Sequence, residues 1–163
     1  MYFLGLDPST ACTGFCVMDE KHDIIEAGKI DISKIDDHGE KLAVQYNHIK
    51  SLLERYEITK ILCEDQFAKV NIDTLKKLSR TSGAYLLLAH LSGVEFEFTF
   101  PNSWRKVFHG SGKAKKEDTF HKVVAIYEFE NLTFKKDNDL TDAIGIAWAC
   151  VDTYLEQEVG VAA

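Results

Sequence analysis

Four acidic residues, Asp7, Glu64, Asp139 and Asp142, stand where carboxylates could act together. Asp7 closes an apolar run from Tyr2, directly before Pro8-Ser9-Thr10, and Glu64 closes a second apolar run from Ile58. In open α/β sheets, ligands bind beyond the carboxyl ends of the strands. If these two runs are neighbouring strands, both carboxylates reach the same end of one sheet. Carboxylates held together repel each other, and a divalent cation relieves the repulsion. Asp139 and Asp142 are three residues apart, a spacing that puts both on one side of a helix. Such a set suits Mg²⁺, which takes a few carboxylates together with phosphate oxygens and waters. Two such ions can activate a water and stabilise the leaving oxygen in phosphodiester cleavage.

Each acid also has a plain structural reading. Asp7 before Pro8 is a common turn pair. Asp139 and Asp142 match the first turn of a helix, with an N-cap acid and a second acid at N3. Glu64 is followed by Asp65, and adjacent strand residues face opposite ways, so only one of the two can point into a shared site. The ordered set carries the metal reading, and no member carries it alone.

The elements that must position these acids can be read from periodicity. Tyr2 to Asp7, Gly14 to Met18 and Asp23 to Ile32 read as three strands joined by short turns, an antiparallel meander. His38 to Tyr56 is helical, with Leu42, Gln45, Tyr46, Ile49, Leu52 and Leu53 mostly on one face. Ile58 to Glu64 is a strand, and Ile72 to Leu91 a helix with Leu75, Leu78, Leu86 and His90 at periodic positions. Val94 to Phe100 alternates apolar and polar residues, a strand stopped by Pro101. Trp104 to Phe108 reads as a helical turn, His109-Gly-Ser-Gly-Lys as a flexible loop and Lys115 to Phe129 as a helix. The last helix is expected from about Asp139 to about Glu156. The order β-β-β-α-β-α-β-α-α predicts an α/β fold, a mixed five-stranded sheet with helices on both faces, in one domain spanning residues 1–163.

Composition limits the possibilities. The chain has 163 residues, 28% charged and 45% hydrophobic, with two prolines, which suits a folded core and not a long disordered region. Cys12, Cys16, Cys63 and Cys150 lie in apolar stretches without a C-x-x-C pair, and so read as small buried hydrophobes. No run suggests a signal peptide or a membrane span, and the expectation is a cytoplasmic protein. Net charge is −7, against a general phosphate binder. Bound Mg²⁺ would cancel four of the acids, and the bases are clustered: Arg105, Lys106, Lys113, Lys115, Lys116 and Lys122 face only Glu117 and Asp118 within one segment. This run is either a solvated surface or a phosphate-binding patch. Lys76, Lys77 and Arg80 on the second helix extend the patch, or form that helix's wet face.

Three segments carry a family resemblance. LGLDPSTACTGFCVMD resembles the first strand and hairpin of the RuvC family of Holliday junction resolvases, ILCEDQFAKVNIDTLKKLSRTSGA its central strand and following helix, and DNDLTDAIGIAWA its C-terminal acidic helix start. With FPNSWRKVFHGSGKAKKED between them, the match covers most of the chain in the right order. The resemblance implies an RNase H-like fold, a homodimer, and Mg²⁺- or Mn²⁺-dependent cleavage of four-way DNA junctions, with two ions per site. It implies that Asp7, Glu64, Asp139 and Asp142 hold the metal and that a loop lysine is catalytic. Lys106 and Lys116 fit that lysine best by spacing, with Lys113 or Lys115 able to replace Lys116. It also implies that Phe67 contacts unstacked bases; the alternative for Phe67 is a core aromatic. Arg105, Lys106, Lys113 and Lys115, with Lys76, Lys77 and Arg80, would bind DNA.

Two departures stand out: Ser9 where the family often has Gly, and Asp65 before Gln66 where it often has Gln directly after the central Glu. The divergent loops and low charge look more like a phage-encoded relative than a cellular one. Forks and flaps are further expected substrates. Two other readings remain: a non-catalytic branched-DNA-binding protein of the same fold, and an actin-like phosphotransferase suggested by Asp7-Pro8-Ser9-Thr10 with Thr13-Gly14. The second normally needs two such domains.

Overall fold

The structure, a computed structural model, describes residues 1–65 and 71–161. It contains the expected mixed sheet, with strands β1 (Tyr2–Asp7), β2 (Cys12–Asp19), β3 (Ile24–Asp31), β4 (Ile58–Glu64) and β5 (Glu95–Thr99) in the order β3-β2-β1-β4-β5. The β1–β2 and β2–β3 pairs are antiparallel, as a meander requires, and β4 pairs parallel to both β1 and β5. Parallel neighbours need crossovers, supplied here by helices α1 (His38–Arg55) and α2 (Ile72–Leu91). Helices α3 (Pro101–His109), α4 (Lys116–Tyr127) and α5 (Phe134–Val161) follow.

The central strands are buried on both faces, and their alternation builds two cores. Leu4, Leu6, Ile61 and Cys63 point one way, onto Ile49 and Leu52 of α1 and Tyr85, Leu88 and Ala89 of α2. Phe3, Cys16 and Leu62 point the other way, onto Trp104, Phe108, Val123 and the apolar stripe of α5. Helices thus cover both faces. Side-chain oxygens fix two helix starts: Asp37 accepts from the Glu40 N–H and Asn71 from the Thr74 N–H, each at 2.8 Å.

Between α1, α2 and β2 lies a buried polar bridge. Gln45 Oε1 accepts from Thr13 Oγ1 at 2.6 Å and from the Tyr85 hydroxyl at 2.9 Å. Lys60 of β4 is also buried, with its ammonium 2.8 Å from Glu95 and 2.7 Å from Glu97 on edge strand β5. Cys16, Cys63 and Cys150 are buried free thiols, as expected of small hydrophobes, and Cys12 is half-buried. Among the described residues, no helix is long and apolar enough to cross a membrane.

Three expectations need correction. The last helix begins at Phe134, not near Asp139. Its first turn is closed by Asp137, whose carboxylate accepts the Thr133 N–H at 2.9 Å, so Asp139 and Asp142 lie within the helix body and are not its cap. Trp104 to Phe108 is part of a nine-residue helix, α3, started by Pro101 at its first turn. On α2 the buried stripe is Leu78, Thr81, Ser82, Tyr85, Leu88 and Ala89, and Leu86 and His90 are exposed. Two small hydroxyl residues hold places in that stripe, so the apolar pattern is displaced from the true inward face.

Candidate active site

Asp7 and Glu64 are brought together by the sheet. Leu6 pairs with Cys63 across the parallel β1–β4 ladder, so the next residues, Asp7 and Glu64, end adjacent strands side by side. Leu6 and Cys63 face α1 and α2, and alternation turns Asp7 and Glu64 to the α5 side. Asp65 falls on the opposite phase, and its backbone N–H donates to the Thr99 carbonyl at 2.8 Å.

Helix α5 brings the other two acids. Gly14, the register partner of Asp7 on β2, lies directly beneath it. A Cβ at residue 14 would stand 2.0 Å from the Asp139 carbonyl oxygen, and one at Gly5 would stand 2.4 Å from the Ala143 carbonyl oxygen and the Ala147 nitrogen. The missing side chains let α5 cross β1 and β2 closely enough to deliver Asp139 and Asp142 beside Asp7. Ser9 tightens the turn after Asp7: its hydroxyl accepts the Cys12 N–H at 2.9 Å and donates to the Cys12 carbonyl at 2.5 Å. Serine at this position is therefore built into the turn.

Lys116, the first residue of α4, reaches into the acids. Its ammonium is 3.0 Å from Asp142 Oδ2, 3.5 Å from Asp7 Oδ2 and 3.6 Å from Asp139 Oδ1. Arg105 of α3 stands 3.4 Å from Asp142 Oδ2, and its guanidinium lies over the Trp104 ring at 4.8 Å. Glu64 has a different partner. The buried Trp104 indole N–H donates to Glu64 Oε2 at 2.7 Å. Trp104 fits there because Gly145 leaves room on α5, where a Cβ would meet its ring at 2.7 Å.

Burial above all raises the pKa of Asp7, Glu64 and Asp142. Glu64 is the next largest influence on Asp7 and pushes it further up, while Lys116 opposes the rise. At Lys116 burial favours the neutral amine, but Asp7, Asp142 and Asp139 outweigh it and hold the ammonium above the ordinary lysine range.

Among the described residues, no group of three Asp, Glu, His or Cys side chains is arranged to hold a metal ion as it stands. The donor set nonetheless fits a hard divalent cation. All the candidate ligands are carboxylates, three of them already share one cationic partner, and Asp142 Oδ1 is buried with no hydrogen-bond partner. A cavity of about 240 Å³ opens beside Asp7, Glu64, Lys116 and Asp139. It shares Ser9, Thr10 and Leu78 with a second cavity of about 320 Å³ bordered by Lys41 and Lys77.

The other expected residues are placed as follows. Lys106, Lys113 and Lys115 are exposed around the α3–α4 loop, and Lys76, Lys77 and Arg80 are exposed on α2. Of these only Lys77 borders the cavities. Phe67 lies outside the described residues. Lys122 is committed to structure, donating to the Phe108 carbonyl at the end of α3. Trp104 is the participant that reading the sequence for charged residues missed. The available signal was an indole, whose N–H needs a partner when buried, next to an arginine in the basic segment.

Comparison with known proteins identifies the family and the fold. A family model described as crossover junction endodeoxyribonuclease RuvC matches residues 3–150. The RuvC of Cytophaga hutchinsonii is 31% identical over 148 residues, which cover 88% of this chain and 72% of that protein. The RuvC of Brachyspira hyodysenteriae is 26% identical over 152 residues, covering 91% and 92%. The solved Thermus thermophilus RuvC superposes with a TM-score of 0.80 at 20% identity over 96% of this chain and 97% of that one, which establishes the shared RNase H-like fold. It has also been solved in complex with Holliday junction substrate, at a TM-score of 0.79, 19% identity and coverage of 95% and 96%. With a family model spanning nearly its whole length, this chain belongs to the RuvC family of crossover junction endodeoxyribonucleases.

Proposed function

We propose that this protein is a divalent-metal-dependent endonuclease that cuts Holliday junctions and related branched DNA as a homodimer. The observation that carries the reading is the convergence of Asp7, Asp139 and Asp142 on one cationic point, with Glu64 on the neighbouring strand end. Asp7, Glu64, Asp139 and Asp142 would hold Mg²⁺ or Mn²⁺, two ions per site. Bound there, the metal would supply Lewis-acid activation of a water and charge stabilisation at the departing 3′ oxygen.

The protein's own groups do the rest. Trp104 fixes the carboxylate of Glu64 through its indole N–H. Lys116 sets a positive charge at the mouth of the acidic cluster, where a scissile phosphate would gather charge in the transition state, and Arg105 adds a second from behind Asp142. Lys106 at the end of α3, with Lys113 and Lys115 of the loop after it, offers further phosphate contacts. Lys76, Lys77 and Arg80 would guide the strand along α2, and Phe67 would stack on unpaired bases near the crossover.

The homodimer has its own support. Leu86, Leu87 and Leu91 form an exposed apolar stretch on α2, and a second copy is the occupant proposed for it. A two-fold axis there would set two sites against opposed strands of a junction. Sedimentation of wild-type and Leu87→Glu protein tests it, with a shift from dimer to monomer expected.

The decisive experiment is parallel digestion of a four-way junction, a fork, a flap and linear duplex with Mg²⁺, with the ends mapped. Cleavage of the branched substrates to 5′-phosphate and 3′-hydroxyl ends is expected. Full activity in Asp7→Asn protein would remove the site assignment, and equal cutting of linear duplex would remove the structural specificity. Junction binding without cleavage under any divalent ion would instead favour a non-catalytic junction-binding protein.

A further inference from the structure

A lysine that only meets a phosphate has no need to touch the acids behind it. Lys116 touches three of the four proposed ligands and also stands 3.5 Å from the Asn138 side-chain oxygen. An ammonium offers three donors and one positive charge to the oxygen lone pairs that a divalent ion would bind with two charges at closer range. The two compete for the same oxygens, and their like charges repel at that range. The Asp7 and Asp142 side chains are 5% and 0% exposed, whereas that of Lys116 is 41% exposed. The acids are packed in place and the lysine has a path to solvent. Its backbone is fixed, because Asp118 accepts the Lys115 N–H at 2.7 Å at the start of α4. The side chain alone can therefore leave, and it borders the 240 Å³ cavity.

We propose that Lys116 is the counter-cation of the metal-free site, occupying the carboxylate cluster until a divalent ion displaces its ammonium into the substrate cavity. The inference rests on the metal-dependent reading given above. Ion entry and presentation of the lysine to the phosphate are then one event. A protein without metal keeps the lysine withdrawn and its acids partly compensated. The two functions of the residue pull in opposite directions: it weakens ion binding and supports cleavage.

The test is calorimetric titration of DNA-free protein with Mn²⁺, comparing wild type, Lys116→Met and Asp7→Asn. Lys116→Met should bind Mn²⁺ about tenfold more tightly than wild type, since a competing cation has gone, and Asp7→Asn should lose binding. In wild type, acylation of the Lys116 amine, read by peptide mass spectrometry, should rise several-fold when Mn²⁺ is added. Equal Mn²⁺ affinity in wild type and Lys116→Met overturns the proposal while leaving the metal site standing. Absence of Mn²⁺ binding in wild type and Lys116→Met alike overturns the metal reading and this inference with it. If Lys116→Met does not fold, labelling of wild type decides alone, and unchanged reactivity with bound Mn²⁺ overturns the proposal.

Discussion

The indole N–H of Trp104 donates to Glu64 Oε2 at 2.7 Å across the interface between α3 and the end of β4. One carboxylate of the site is thus held by a neutral donor, while the others share the cations Lys116 and Arg105. Trp104→Phe keeps most of the ring packing and removes the donor. Partners that orient metal ligands are worth about 10–100-fold in metal affinity. Mg²⁺ titration of junction cleavage should therefore shift by that order, with metal-free junction binding unchanged in a gel-shift assay.

Asp7→Asn should abolish cleavage and stabilise the metal-free protein. The native carboxylate is buried beside Glu64, and its charge works against the folded state. A gain of about 1 kcal/mol raises the melting temperature of a chain this size by about 2–4 °C. Melting in the presence of a chelator checks it, and a lower melting temperature would contradict the repulsion argument.

That advantage should depend on pH. Burial raises the folded-state pKa of Asp7, Glu64 and Asp142, so the folded chain keeps protons that the unfolded chain releases above about pH 4. Stability from these groups is complete below that value and is lost as pH rises through the raised pKa values. Glu26 acts oppositely: hydrogen bonds from Arg55 hold it below the usual carboxylate range, so its contribution is present above about pH 4 and lost as pH falls through its lowered value. The melting difference between Asp7→Asn and wild type should be largest at neutral pH and shrink toward about pH 4.

Gly14→Ala tests the close crossing of α5. The new methyl would stand 2.0 Å from the Asp139 carbonyl, so backbone must move. Overpacking of this kind costs about 1–3 kcal/mol. Urea denaturation should show that loss, and cleavage should fall further than stability, because Asp139 moves with the helix.

The buried Lys60 separates two kinds of charge loss. Lys60→Met leaves Glu95 and Glu97 exposed enough to be solvated, and stability should change little. Glu95→Gln with Glu97→Gln leaves the buried ammonium without a counter-charge and should cost about 3–5 kcal/mol in urea denaturation.

Much of this molecule is legible in the sequence, for identifiable reasons. Tyr2–Asp7 and Ile58–Glu64 are apolar runs ending in acids because both strands are covered on both faces and stop at the site. The start of α5 is hidden because Phe134 to Asn138 is largely polar and reads as loop, although Asp137 caps it. The inward stripe of α2 is not legible because Thr81 and Ser82 occupy core positions while Leu86 and Leu87 face out. The hold of Lys116 on three acids and of Trp104 on Glu64 depends on how α3 and α4 dock, which no local pattern encodes.

The acids of the site come from β1, β4 and the body of α5, so Asp7 and Glu64, neighbours within the sheet, meet Asp139 and Asp142 only when α5 packs on it. A nascent chain emerging from the ribosome without Asp139 and Asp142 already carries Asp7, Glu64 and the whole basic loop, yet has no complete cluster. The acidic cluster is thus completed last in synthesis, when α5 crosses Gly5 and Gly14.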